Sequence, residues 1–257
     1  MTSTFDLNAA KFERHRAFPH GVPEAIRQAI RDSTGTLSPD WVLDLGAGSG
    51  RIGRAFVEAG DSYVGVDFSL AMLREFRARD AAAYLLQADG GLLPFRDHSF
   101  GLVLLMQVLS GTHNWQKLLD ETKRVISPGG WVAVGQTTMP ENGVDAQMKK
   151  QLALILKQMA VESHESRRAR KESLLWLRTG CSREMQVTAA SWTSQRAPRE
   201  FMERHRSGAR FASLPEEVRD EALQKLGDWA NKMYGSQDKV FSEKHSFELN
   251  LFKIGLS

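Results

Sequence analysis

The sequence predicts an α/β protein: a doubly wound sheet, mostly parallel with an antiparallel last strand, plus helical cap insertions. Short apolar runs alternate with amphipathic stretches at regular spacing between residues 40 and 138, and glycine or aspartate stops most of the runs. The chain has 257 residues, 42% hydrophobic and 25% charged, which is enough for one large α/β core or an ordinary domain with an inserted cap.

Each element follows from its own pattern. Asp40 to Leu45 is a short apolar run after Pro39 and reads as a buried strand, with a helix from about Arg51 to Ala59. Ser62 to Ser69 repeats the plan: Gly60 ends the previous helix, and Ser69 stands where a cap for "LAMLREFRAR" is needed. Ala83 to Asp89 and Phe100 to Leu109 are two further strands, "QKLLDETKRVI" is the next helix, and Gly129 to Thr138 is a fifth strand after the Ser-Pro-Gly-Gly break.

Beyond Met139 the character changes. Val144, Met148, Leu152, Ile155 and Met159 recur at helical spacing, and a charged stretch from Glu162 to Glu172 leads into "SLLWLR". Met185 to Ser194 reads as a strand. "PREFMERHR" and "PEEVRDEALQKLGDWANKMY" read as helices with proline in the first turn. Lys244 to Lys253 alternates Phe247, Leu249 and Leu251 on one face, as a last antiparallel strand would.

Charge and cysteine usage limit the function classes. Lys and Arg number 34 against 31 Asp and Glu, a formal net charge of +3 that gives no reason to expect nucleic-acid binding. Cys181 is the single cysteine, so no intrachain disulfide is available and a reducing compartment is expected. The N-terminal stretch lacks the apolar core of a signal peptide, and "LVLLMQVL" is far short of the roughly 20 residues that span a bilayer. A cytoplasmic protein with no membrane association is expected. No His/Cys/Asp/Glu group has metal-ligand spacing, so no metal is expected.

The chemistry concentrates in "VLDLGAGSGRIG", Val42 to Gly53. Gly48, Gly50 and Gly53 can be read as the turn of a dinucleotide site. The same residues also read as Asp44, Gly46, Gly48 and Gly50, with an acid leading the glycines. From Gly46, the first glycine after the strand, dinucleotide spacing fails because Arg51 stands where the third glycine belongs. A carboxylate at Asp44 repels pyrophosphate and attracts an ammonium or sulfonium. Asp44, Asp67, Asp89 and Gln107 fall at or near the carboxyl ends of successive strands, where ligands bind in such sheets, and Asp67 suits the two hydroxyls of a ribose.

Taken together, these segments resemble the class I S-adenosylmethionine-dependent methyltransferases, which are Rossmann-like, and especially the small-molecule group of quinone-biosynthesis type. "VLDLGAGSGRIG", "VGVDFSLAMLREFR", "QADGGLLPF" and "FGLVLLMQVLSGTHNW" followed by "RVISPGGWVAVG" match that family's motifs in order, over roughly residues 41 to 136. The resemblance implies one domain: a helical lid over 1–38, a cofactor-binding core over 39–140, and cap insertions with the last two strands over 141–257. It implies S-adenosylmethionine as cofactor, held by Asp44, Gly46, Ala47, Gly48, Gly50, Asp67, Phe68, Asp89, Gly90 and Gln107, with Arg16 meeting the cofactor's carboxylate. Asp67 would take the ribose hydroxyls, Asp89 the adenine amino group, and Gln107 would border the methionine portion.

Methyl transfer to a small-molecule acceptor by in-line displacement is the activity implied, and a base is optional for it. His113, beside the crevice in "GTHNW", is the candidate base, although it could equally cap or pack before the helix that follows. Phe12, His15, Trp115, Thr137, Trp192 and Arg196 are the candidate substrate residues; the two tryptophans could equally be core. An RNA or protein methyltransferase and a catalytically silent cofactor-binding protein are the alternatives. The residues that depart from the shared core leave the acceptor and the oligomeric state open.

Overall fold

A computed structural model of the protein describes residues 17–35, 40–109, 114–161, 166–206, 211 and 214–255. Phe12, His15, Arg16 and His113 lie outside the described residues. The chain forms two compact units. One comprises residues 18–137, 165–190 and 247 onward, and the other includes residues 138–164 and 191–246.

The first unit opens with α1 (Val22–Thr34), which buries Val22, Ile26 and Ile30 and ends at Gly35 in the left-handed conformation. Its Arg27 and Arg31 both pair with Asp61, at 2.6 and 2.7 Å, so this part of the expected N-terminal lid is tied to the turn before β2. β1 (Val42–Leu45) is buried at every position, because it pairs in parallel with β2 (Tyr63–Asp67) on one side and β4 (Phe100–Met106) on the other. Such a central strand needs apolar side chains on both faces. α2 (Gly53–Glu58) follows β1, and α3 (Leu70–Arg79) follows β2, with the Met72 N–H donating to Ser69 Oγ at 3.3 Å as the sequence predicts. β3 (Tyr84–Gln87) pairs with β2 at the sheet edge.

α4 (Trp115–Val125) leads into β5 (Ile126–Thr138), which starts three residues before the predicted Gly129. The Ser-Pro-Gly-Gly segment is a bulge inside the strand: Phe100 pairs with Ile126, and Leu102 with Trp131. The remaining elements are α5 (Val144–Gln158), α6 (Ser166–Thr179), β6 (Cys181–Arg196), α7 (Pro198–Arg206), α8 (Glu216–Tyr234) and β7 (Phe241–Ile254). The strand order is β3-β2-β1-β4-β5-β7-β6, with β7 antiparallel to both its neighbours, as expected for the last strand.

Leu43, Leu45, Val103, Leu105, Val132, Val134 and Phe252 of the sheet pack with Leu118 and Leu119 of α4. Leu177 of α6 joins this same core. The insertion after β5 therefore divides: α6 belongs to the sheet's own unit, while the Val144, Met148, Leu152 and Ile155 stripe of α5 packs with Phe201, Ala222, Leu223 and Leu226 in the second unit. The charges of the α6 segment hide a narrow apolar face, and that face is what docks.

Candidate functional site

The strand order reverses between β1 and β4, the switch point at which an open sheet leaves a crevice beyond its carboxyl ends. The turn after β1 lies there. Gly46, Gly48 and Gly50 all have positive φ, at 79°, 56° and 79°, which only glycine adopts without strain. At two of them there is no room for a side chain either: a Cβ at Gly46 would sit 2.9 Å from Val108 Cγ2, and one at Gly50 2.5 Å from the Phe76 ring.

The hydrogen bonds of this turn bear on which ligand it suits. Gly46 and Ala47 both donate their N–H to Val66 O, at 2.8 and 3.0 Å, and Gly50 donates to Ala47 O at 3.0 Å. Gly48 donates to Asp67 Oδ2 at 2.8 Å. These amides, which a pyrophosphate would require, are already committed within the protein. Asp67 is oriented by Gly48 N–H on one oxygen and Ser69 N–H on the other, 2.8 Å each, and a carboxylate has about four lone-pair sites.

Asp44 is buried, and its Oδ2 accepts from the Tyr63 hydroxyl at 2.8 Å. Its Oδ1 has no hydrogen-bond partner among the described residues. Burial pushes the Asp44 carboxyl up to about 7, with nearby Asp67 adding to the rise and the Tyr63 hydrogen bond opposing it. Tyr63 is pushed up as well, by burial and by Asp44. Gly53 makes this pair possible, since a Cβ there would fall 2.1 Å from the Tyr63 hydroxyl. Gly53, read from sequence as a candidate third glycine of a dinucleotide turn, thus serves to admit a tyrosine. Sequence reasoning missed Tyr63 because its partner is set by strand register, with Val42 opposite Tyr63 and Asp44 opposite Gly65.

Gln107 follows β4 with a positive φ of 61°, unusual for a non-glycine residue and a mark of local constraint. Its amide N–H is held by Gly135 O at 2.8 Å, its Nε2 donates to Thr137 Oγ1 at 2.8 Å, and Arg51 Nη2 donates to its Oε1 at 2.6 Å. Arg51 also lies over the Phe18 ring, 4.7 Å from its centroid. Thr137 thus orients a neighbouring side chain. Arg51 and Phe18 are further residues of this group that sequence reasoning did not select.

Asp89 accepts from the Gly91 N–H at 2.9 Å in a local turn after β3. A Cβ at Gly90 would approach Leu118 Cδ1 to 3.2 Å. Phe68 is 60% exposed and its carbonyl accepts from Gln87 Nε2 at 3.1 Å. Trp115 is buried in the core with Leu118, Leu119 and Leu109. Trp192 and Arg196 lie in the second unit, half-buried on one face of β6.

Residues 43–134 match the family model described as a methyltransferase domain. A demethylmenaquinone methyltransferase of Renibacterium salmoninarum is 31% identical over 144 residues, which cover 56% of this chain and 61% of that one. The malonyl-[acyl-carrier protein] O-methyltransferase of Salmonella typhimurium is 31% identical over 144 residues, covering 55% and 56%. The chain thus spans about three-fifths of the length of the curated relatives it matches. Among solved structures, Haemonchus contortus phosphoethanolamine N-methyltransferase 2 in complex with S-adenosyl-L-methionine shares the fold, with a TM-score of 0.51 at 18% identity, covering 97% of this chain and 57% of that one. Residues 43–134 thus match a methyltransferase domain, and the chain shares the fold of a solved methyltransferase.

Proposed function

We propose that this protein transfers a methyl group from S-adenosylmethionine to a small-molecule acceptor. The observation that carries the reading is the inward commitment of the glycine-turn amides, beside an Asp67 carboxylate that two backbone N–H groups orient. That chemistry suits a ligand with a positive charge and hydroxyl donors, and disfavours a pyrophosphate. When bound, S-adenosylmethionine supplies an electrophilic methyl group on a sulfonium.

Asp67, locked by two backbone donors, holds the ribose hydroxyls. Asp44, buried under the turn and bonded to Tyr63, supports it from below, and Gln107, fixed by Arg51 and Thr137, borders the methionine portion. Asp89 offers its carboxylate to the adenine amino group. Positioning and alignment on this scaffold contribute most of the rate, on the order of 7–11 kcal/mol where reactants are well oriented. The relative named for demethylmenaquinone supports a metabolite-scale acceptor.

Calorimetry tests the cofactor: S-adenosylmethionine and its demethylated product bind, and NAD does not. NAD binding without response to either adenosyl compound overturns the proposal. Incubation with labelled cofactor and a metabolite extract then identifies the acceptor as a product heavier by one methylene.

A further inference from the structure

The glycine turn commits its backbone donors to the protein itself. The N–H groups of Gly46, Ala47, Gly48 and Gly50 go to Val66 O, to Asp67 and to Ala47 O. Asp67 and Asp89, near the strand ends, carry acceptors. S-adenosylmethionine has one anionic group, the carboxylate of its amino-acid end, which neither those amides nor those acids can receive. Arg51 is the first residue after Gly50 and brings a guanidinium to the same turn.

Two contacts hold that guanidinium. Its Nη2 donates to Gln107 Oε1 at 2.6 Å, across the switch point between β1 and β4, and its central carbon lies 4.7 Å from the centroid of the Phe18 ring. Each support is fixed in turn. Gln107 has a positive φ of 61° and donates from Nε2 to Thr137 Oγ1 at 2.8 Å. Because a guanidinium only donates, the carboxamide must turn its oxygen to Arg51 and its nitrogen to Thr137. Phe18 meets the buried Phe247 of β7 edge-on, with centroids 5.7 Å apart. All of these residues belong to the sheet's unit. Arg51 is half-buried and Gln107 exposed. A guanidinium already held in place loses little freedom on binding, and its rigid fork matches a carboxylate with two parallel N–H donors.

We propose that Arg51 receives the carboxylate of the cofactor's amino-acid end, with Gln107 and Phe18 as the positioning residues that hold its guanidinium beside the glycine turn. The inference rests on the methyl-transfer reading and adds to it a determinant of cofactor selectivity: the protein tells an adenosyl amino acid from its decarboxylated form. The family resemblance gives this carboxylate to Arg16, which lies outside the described residues. Arg51 is the group that the geometry of the turn offers. Its charge is permanent, so the selectivity does not depend on the protonation of any protein side chain it invokes.

The test is calorimetry on the full chain with two ligands, S-adenosylmethionine and decarboxylated S-adenosylmethionine, which keeps the adenosine, the sulfonium and the amine and lacks the carboxylate. The wild type is expected to prefer the first at least tenfold. Arg51→Met keeps an apolar stem over Phe18; it lowers the affinity for S-adenosylmethionine to that of the decarboxylated compound and leaves the latter unchanged. Arg51→Gln can still donate to Gln107 and loses the preference as well, and it decides the matter if the methionine variant does not fold. Arg51→Lys restores part of the preference, and Gln107→Ala lowers it without weakening the decarboxylated compound. A wild type without preference, folded neutral variants that keep it, or equal losses for both ligands in those variants overturn the assignment. Arg16→Met is measured beside them: loss of the preference there, with Arg51→Met still selective, gives the carboxylate to Arg16 instead. If the wild type binds S-adenosylmethionine and the Arg51 variants stay selective, the Arg51 assignment alone falls. If the wild type binds neither compound, the methyl-transfer reading falls and takes the assignment with it.

Discussion

Asp67 joins two roles in one side chain, because the carboxylate that orients Gly48 and Ser69 is also the group offered to a ribose. Asp67→Ala removes a charged acceptor, and hydrogen bonds to charged groups are worth about 1.5–3 kcal/mol. Calorimetry with S-adenosylhomocysteine is expected to show at least a tenfold loss of affinity; unchanged affinity in a folded variant removes Asp67 from the site. Asp44 makes a different prediction, for stability against pH. Its folded value of about 7 lies above the ordinary carboxylate value near 3.9, so between the two the folded state holds a proton that the unfolded chain has released. The contribution is present below about pH 4 and is lost as pH rises through about 7, a change on the order of 4 kcal/mol in the limit. In Asp44→Asn this slope disappears, and denaturant titrations of both proteins at pH 5 and pH 8 measure it; equal slopes show that Asp44 does not titrate in this window. The acid-first glycine turn was legible in the sequence because its residues are contiguous. Tyr63, which sets the environment of Asp44, was not, since only the β1 and β2 register brings the two together.

Arg124 of α4 shows how one element fixes another. Its guanidinium donates to Phe95 O at 2.7 Å, Leu93 O at 3.0 Å, Asp97 Oδ1 at 2.8 Å and both oxygens of Glu121, so the helix holds the segment between β3 and β4 that begins at Asp89. A lysine has three donors on one nitrogen and cannot span that set. Arg124→Lys is expected to speed amide exchange across residues 90–97 while the strands keep their protection, and exchange as slow as wild type shows that the segment is held by other contacts. The strands of the sheet were legible as elements because burial on both faces demands unbroken apolar runs. β7 was only partly legible. The alternation of Phe247, Leu249 and Leu251 continues backwards to His245 and Glu243, whose polarity breaks the pattern although both are buried. Extending the inward phase by two positions at each step finds them.

At the scale of the whole molecule, the two units differ in what their sequences reveal. The sheet unit follows from alternating strands and helices, whereas the second unit is assembled from separated stretches whose mutual packing no local pattern encodes, such as Phe201 and Leu226 against Met148 and Ile155. The same separation splits the insertion after β5: α6 returns to the sheet through Leu177, and α5 does not. β5 ends at Thr138, where the chain passes from the sheet's unit into the second. Hydrogen exchange with and without S-adenosylhomocysteine tests the cofactor site at this scale, since residues ordered by a bound ligand gain protection. Protection is expected to rise over residues 46–67 and to stay constant over 166–179, whose docking on the sheet does not depend on the ligand. No rise over residues 46–67 removes the glycine turn from the site, and a rise in 166–179 shows that α6 is coupled to the site through the sheet core.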